Sequence, residues 1–425
     1  MKFIVLVHGE AVSGMQFSPD APNPGIGGTQ FTRIRLADAF ARRFPLHQVE
    51  VVSEHRFEMR DAPENLAQRV AFFDEYLAAL CPADGDWIVT GPSMLLKRIS
   101  PDILRRIASR TIITSHLMHD ADLWDAERMA TFGAAGCVGA YHFHATRSKS
   151  PKVYLRNLFL PGWSQSSTES TGSRDSAAAF KIVHIGALLP LRGFDDLAAI
   201  WSEIKAAVPG VHLDVIGGAD VYGTSNSHGL LPTTKAFGVK ILLSLELEDV
   251  TSGKVKFLGR LGVEKTSIIK NADVAVLNVA NRPEALCAAA IECMDRGTPV
   301  VGSAANGLWD SMRHFPELTS KTPSEIPTIL ARLATNDEEL LALSRRSQNV
   351  AADFRLQNDQ ILDRWNAVAT ALLNDKNPVL APPTPRPMPQ HKALAVYAKK
   401  RVRHELRRSK LGDVLAFIKG KLRGL

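Results

Sequence analysis

Short apolar runs alternate with longer amphipathic stretches along most of the chain, the pattern of α/β layers built on parallel sheets. Residues 2–7 (KFIVLV) read as a first buried strand, and a Gly- and Pro-rich loop leads into a helix over 29–43. Strand patterns recur at 49–53, 87–90 and 111–115. Residues 140–145 read as another strand, on which His142 and His144 would share a face. The polar stretch 163–178 reads as a linker. A second α/β series follows, with strands at 181–185, 211–216 and 254–258 and helices over 193–208 and 236–247. The pattern predicts a first domain over 1–162, a second over 179–377, a proline-rich spacer over 378–391 and a basic helical tail over 392–425. Two such halves place a ligand cleft between them, outside the carboxyl ends of their strands.

The densest chemistry lies between Asn271 and Asp310. A strand at 273–277 leads through Pro283 to a small-residue helix over 285–294, closed by Gly297, and a strand at 299–302 follows. Glu284 and Glu292 then stand about two helical turns apart, roughly 12 Å along the axis. The helix start leaves the N–H groups near Leu286 and Cys287 able to bind an anion. Carboxylates on either side of an anion site suit a ligand with hydroxyls at both ends and phosphate between, such as a nucleotide-diphosphate sugar.

Three loops add candidates. Gly25 to Gln30 opens the first helix, and Gly27 and Gly28 let the backbone approach an anion, or simply form a turn and cap. The spacing is not that of a dinucleotide fingerprint. His184 to Gly193 joins a strand to a helix and carries Arg192, suited to phosphate or merely a surface cation. Ser115 to Asp120 follows a strand and holds His116 and His119, which read as structural histidines or, beside Asp120, as part of a metal site for which no third ligand is indicated.

The Glu-x7-Glu pair (Glu284, Glu292), the run Gly297 to Val301 and the loop ending in Asn306-Gly307 resemble the signature of retaining glycosyltransferases of family 4 type. The resemblance covers residues 1 to about 375 and is most specific over 181–310. It implies two Rossmann-like domains facing a central cleft, the GT-B fold. It implies catalytic roles for Glu284 and His116, with His119 as the alternative histidine. It implies donor binding by Gly27, Gly28, Arg192, Leu286, Cys287 and Glu292, with Glu292 on the ribose and no metal or other cofactor. The family pairs two cations on the diphosphate. Arg192 matches one, Ala187 occupies the place of the other, and Arg260 or Lys265 are substitutes. Cys287 stands where the family often has glycine. The implied reaction moves a sugar from a nucleotide-diphosphate donor to an acceptor hydroxyl with retention, in glycan or lipopolysaccharide synthesis. Rival readings are a degenerate sugar-nucleotide- or glycan-binding protein of the same fold, which Ala187 favours, and a nucleotide-sugar epimerase.

Charge changes the picture at one end only. The formal net charge is +7 over 425 residues. The segment 392–425 has eleven Lys/Arg against two acids, a net +9, which leaves −2 for the rest. The basicity is therefore no argument for nucleic-acid binding by the globular body. A basic tail behind a proline spacer suits an anionic membrane surface and a lipid-linked or glycan acceptor. Four cysteines without metal-ligand spacing and the absence of a long apolar run predict a cytoplasmic protein, peripheral on the membrane at most.

Overall fold

The computed structural model describes residues 1–18, 21, 23–80, 85–96, 98–116, 120–159, 179–222, 231–303 and 305–383. The expected linker 163–178, the tail 392–425, most of the proline spacer and His119 lie outside these residues.

The first sheet comprises β1 (Lys2–Val7), β2 (Gln48–Ser53), β3 (Leu66–Val70), β4 (Trp87–Pro92), β5 (Thr111–Ser115), β6 (Ala134–Cys137) and β7 (Lys152–Tyr154). Its spatial order is β3-β2-β1-β4-β5-β6-β7, with every pair parallel. The order reverses between β1 and β4. Phe3 to Val7 are fully buried because layers cover both faces of the sheet. On one face α1 (Gly28–Arg43) stacks Phe40 on Phe3 at 4.2 Å between ring centroids.

The segment 140–145 is a helix, α2 (Ala140–Ala145), and not the expected strand. Its first amides find a carboxylate from the other domain: Ala140 N–H donates to Asp310 at 2.9 Å. Residues two apart on a helix point roughly 200° apart. His142 is accordingly fully buried, while His144 reaches the carbonyl of Pro383 at 3.0 Å, so the two share no face.

The second sheet holds β8 (Lys181–Ile185), β9 (His212–Ile216), β10 (Val255–Gly259), β11 (Val274–Leu277), β12 (Val300–Ser303) and β13 (Thr319–Ser320). Its order is β10-β9-β8-β11-β12-β13, all parallel, and it reverses between β8 and β11. The helix expected over 193–208 breaks at Ile200, giving α3 (Phe194–Ala199) and a second helix at Trp201–Ala207. The one expected over 236–247 is also two, Lys235–Leu242 and Leu247–Thr251. The small-residue helix α4 (Ala288–Asp295) starts later than expected. Glu284 and Pro283 therefore lie in the loop before it, and the two glutamates do not lie along one helix.

The chain then crosses back. α5 (Asp337–Leu356) belongs to the second domain, but α6 (Asn358–Leu373) packs on the first sheet. Ile361, Leu362, Trp365 and Val368 join the core around Phe3 and Phe40, and Arg43 pairs with Asp363 at 2.8 Å. The apolar face of α6 covers sheet surface that α1 alone leaves open, so residues 358–373 pack with the first domain and not with the expected 179–377 unit. Buried Arg156 ties the crossing, donating to Phe354 O at 2.6 Å and Asn358 Oδ1 at 3.2 Å. Two Rossmann-like α/β domains thus face one cleft.

Candidate active site

Both sheets present their order reversal to the cleft, the place where open α/β sheets bind ligands. The cavity there measures about 230 Å³ and is lined from both domains, by Gly28, Thr29 and His116 on one side and Gly186, Glu284 and Glu292 on the other.

The loop from β11 to α4 positions Glu284. Asn278 and Asn281 adopt left-handed backbone conformations, with φ of 46° and 56°, which asparagine tolerates. The Asn278 side chain closes the loop, accepting from Arg282 N–H at 2.6 Å and donating to Arg282 O at 2.9 Å. Asn306 donates to Asn281 O at 2.8 Å, and the Arg282 guanidinium pairs with Asp196 at the start of α3 at 2.6 Å. Ala285 follows, pressed between two glycines. A Cβ on Gly139 of the first domain would lie 2.5 Å from Ala285 O, and one on Gly307 would lie 2.4 Å from Ala285 C. Only glycine permits that approach on either side.

Glu284 meets Arg192 Nη1 at 3.1 Å and hydrogen-bonds the Cys287 thiol. Burial raises its pKa above the ordinary carboxylate value, against the pull of Arg192 and Cys287. The N–H groups of Leu286 and Cys287 have no hydrogen-bond acceptor among the described residues. On α4, Glu292 is buried in an ion pair with Lys265 at 2.7 Å. Ala187 lies on the cleft wall beside Gly186, and Arg260 lines the same cleft. His184, also on the wall, is bonded through Nδ1 to Val276 O at 2.9 Å, and burial lowers its pKa to about 4. Its neutral ring donates from Nδ1 and turns an accepting Nε2 without a protein partner.

In the first domain Asn23 Oδ1 accepts from Gly25 N–H and Ile26 N–H, both at 2.9 Å, and so shapes the loop before α1. Gly27 caps α1, and a Cβ on Gly28 would meet nothing within 4 Å, so this wall is open. His116 follows β5, and Thr114 Oγ1 lies 3.3 Å from its Nε2. Burial, then the nearby Arg33 charge, hold its imidazole well below the usual histidine range, so it is neutral. Asp120 is committed elsewhere. It accepts from Ser93, from Ser115 at 2.8 Å and from the amides of Asp122 and Leu123, and so caps the helix Ala121–Met129. Among the described residues no cluster of three His, Cys, Asp or Glu could hold a metal ion.

Sequence reasoning placed Gly28, His116, Arg192, Glu284, Leu286, Cys287 and Glu292 at the cleft, and they line it together. It missed Asp310, whose carboxylate joins the domains, and Arg33, a buried charge near His116. It named Lys265 without foreseeing that it pairs with Glu292. None of these carries a local spacing signal.

Residues 173–340 match the family described as glycosyl transferases group 1. A D-inositol 3-phosphate glycosyltransferase of Segniliparus rotundus is 27% identical over 219 residues, covering 51% of this chain. That match spans 43% of the relative, less than half its length. Among solved structures, Alr3699/HepE of Anabaena, in complex with UDP and glucose, has a TM-score of 0.59 at 15% identity, covering 86% of this chain and 99% of that one. Sucrose-phosphate synthase from Thermosynechococcus elongatus has a TM-score of 0.54 at 17% identity, covering 88% and 97%. The family match places similarity to group 1 glycosyl transferases in residues 173–340, in the second domain, and the solved structures share the GT-B fold of the whole chain.

Proposed function

We propose that this protein transfers a sugar from a nucleotide-diphosphate donor to an acceptor hydroxyl with retention of configuration. One observation carries the reading: Glu284, paired with Arg192, and Glu292 lie in the group 1 domain and line the same cleft as the neutral His116 of the other domain. The UDP and UDP-glucose bound by Alr3699/HepE support a sugar nucleotide as donor.

In this reading the diphosphate lies against the amides of Leu286 and Cys287, the Arg192 guanidinium and the Gly27–Gly28 loop. Glu292, oriented by Lys265, accepts from ribose hydroxyls. The anomeric C–O bond breaks with its electron pair passing to the leaving diphosphate, which those donors stabilise. The acceptor oxygen bonds to the same face of the sugar, and its proton passes to a leaving phosphate oxygen. Glu284 stands beside the charge developing at the anomeric carbon. His116 bonds a sugar hydroxyl and orients it. Arg260 offers a second cation in place of Ala187. The acceptor is a glycan or a lipid-linked molecule, reached at an anionic membrane surface through residues 392–425.

The test is nucleotide release from a panel of sugar nucleotides, with and without a cell-envelope extract, by wild type and Glu284→Gln. Release that requires the extract and falls at least about 100-fold in the variant supports transfer, the range for loss of one electrostatic group. Donor binding without release from any member of the panel would instead favour a sugar-nucleotide-binding protein, with Ala187 as the reason.

A further inference from the structure

The acceptor side of the cleft holds a charge that the protein leaves unanswered. Arg33 of α1 is 3% exposed. Its Nη1 donates to Thr90 Oγ1 of β4 at 2.8 Å, and its Nη2 has no hydrogen-bond partner. No carboxylate pairs with it among the described residues. Burial alone lowers its pKa to about 9. An unpaired guanidinium in the interior is expensive to maintain, so a fold that keeps one has a use for it.

Two more unanswered groups lie nearby. His8 directly follows β1, and its Nδ1 lacks a partner. Gln30, one turn before Arg33, donates from Nε2 to His8 O at 2.9 Å and leaves its buried Oε1 without a donor. The His8 ring is uncharged, its pKa lowered to about 4 by burial and by the charges of Arg98 and Arg33. Together they occupy the β1–β4 reversal of the first sheet, where an α/β sheet binds its ligand. Arg33 also lines a small cavity that shares Thr32, His116, Val138 and Asn157 with the main cleft.

We infer that the first domain binds an acceptor bearing a phosphate group, with Arg33 Nη2 donating to a phosphate oxygen and Gln30 Oε1 accepting from a neighbouring hydroxyl. The inference rests on the glycosyl-transfer reading for the word acceptor, not for the anion site. A guanidinium offers several N–H donors to phosphate oxygens, and Arg33 brings them from α1 close to His8 at the end of β1 and His116 at the end of β5. The phosphate belongs either to a soluble sugar or polyol phosphate or to a lipid headgroup.

The test is calorimetric titration of the full chain with inorganic phosphate while UDP fills the donor site. Wild type is expected to bind, and Arg33→Gln to bind at least about tenfold more weakly, the consequence of losing one charge-assisted contact. Arg33→Lys, which keeps the charge, should fall between them. Melting temperatures separate this from a structural role: Arg33→Gln, which removes a lone buried charge, should melt no lower than wild type. Equal phosphate affinity in wild type and Arg33→Gln, or no phosphate binding by wild type, overturns the inference. Acceptor assays with glycerol phosphate, hexose phosphates and phosphatidylinositol vesicles, each beside its unphosphorylated counterpart, identify the source. Stimulation by the unphosphorylated members alone also overturns it. If no sugar nucleotide is ever turned over, the glycosyl-transfer reading fails, while the phosphate titration still decides the anion site.

Discussion

Lys265 and Glu292 form a buried ion pair whose disruption has a calculable size. Their side chains are 7% and 9% exposed and 2.7 Å apart. At an effective dielectric near 20, the attraction at that separation is on the order of 6 kcal/mol. Most of it offsets the desolvation of the two charges, so the intact pair is worth little against an apolar pair of the same volume. Removing one partner is different, because Glu292 then stays buried without its ion-pair partner and keeps the charge of Arg296 nearby. Lys265→Met should therefore destabilise the protein by about 3–5 kcal/mol. For a domain of this size that corresponds to a melting temperature lower by roughly 6–20 °C. The double variant Lys265→Met/Glu292→Met should recover most of the loss and come within about 1–2 kcal/mol of wild type. Urea unfolding of wild type, Lys265→Met, Glu292→Met and the double variant gives the coupling energy directly. A loss below about 1 kcal/mol in Lys265→Met, or a double variant no more stable than the single one, would refute the reasoning.

Two further predictions concern the contacts around Ala285. Burial raises the Asp310 pKa to about 7 from an ordinary 3.8, so the folded state holds that proton more tightly than the unfolded chain. Its contribution is present below pH ~4 and is lost as pH rises to about 7, on the order of 4 kcal/mol in all. Asp310→Asn should remove that slope, so unfolding at pH 4.5 and pH 8 should show the variant gaining on wild type as pH rises; a difference independent of pH would sink the idea. Gly307→Ala drives a Cβ into the Ala285 backbone, which adjoins Glu284. It should cost about 1–3 kcal/mol of stability and reduce nucleotide release by roughly 100-fold, and a fully active variant would show that this loop tolerates displacement.

Local pattern was enough for the parts of this protein whose physics is local. A strand buried on both faces is dominated by apolar and β-branched residues, and Lys2–Val7, Thr111–Ser115 and Lys181–Ile185 fall where their runs predict. The cleft residues around Glu284 and Glu292 were readable for the same reason, since both lie within one strand–loop–helix unit whose side chains are delivered by neighbouring backbone. Three features depended on partners far away in the chain. Residues 140–145 have composition compatible with strand or helix, and an amide–carboxylate contact with Asp310, 170 residues distant, accompanies the helical choice. The amphipathic face of α6 suits either domain, and the gap over Phe3 and Phe40 decides which one receives it. Arg33 looks like a surface residue of a helix until Thr90 and the β1–β4 reversal enclose it. Periodicity specifies which faces must be buried, whereas the identity of what buries them is set only when distant segments compete for the same space.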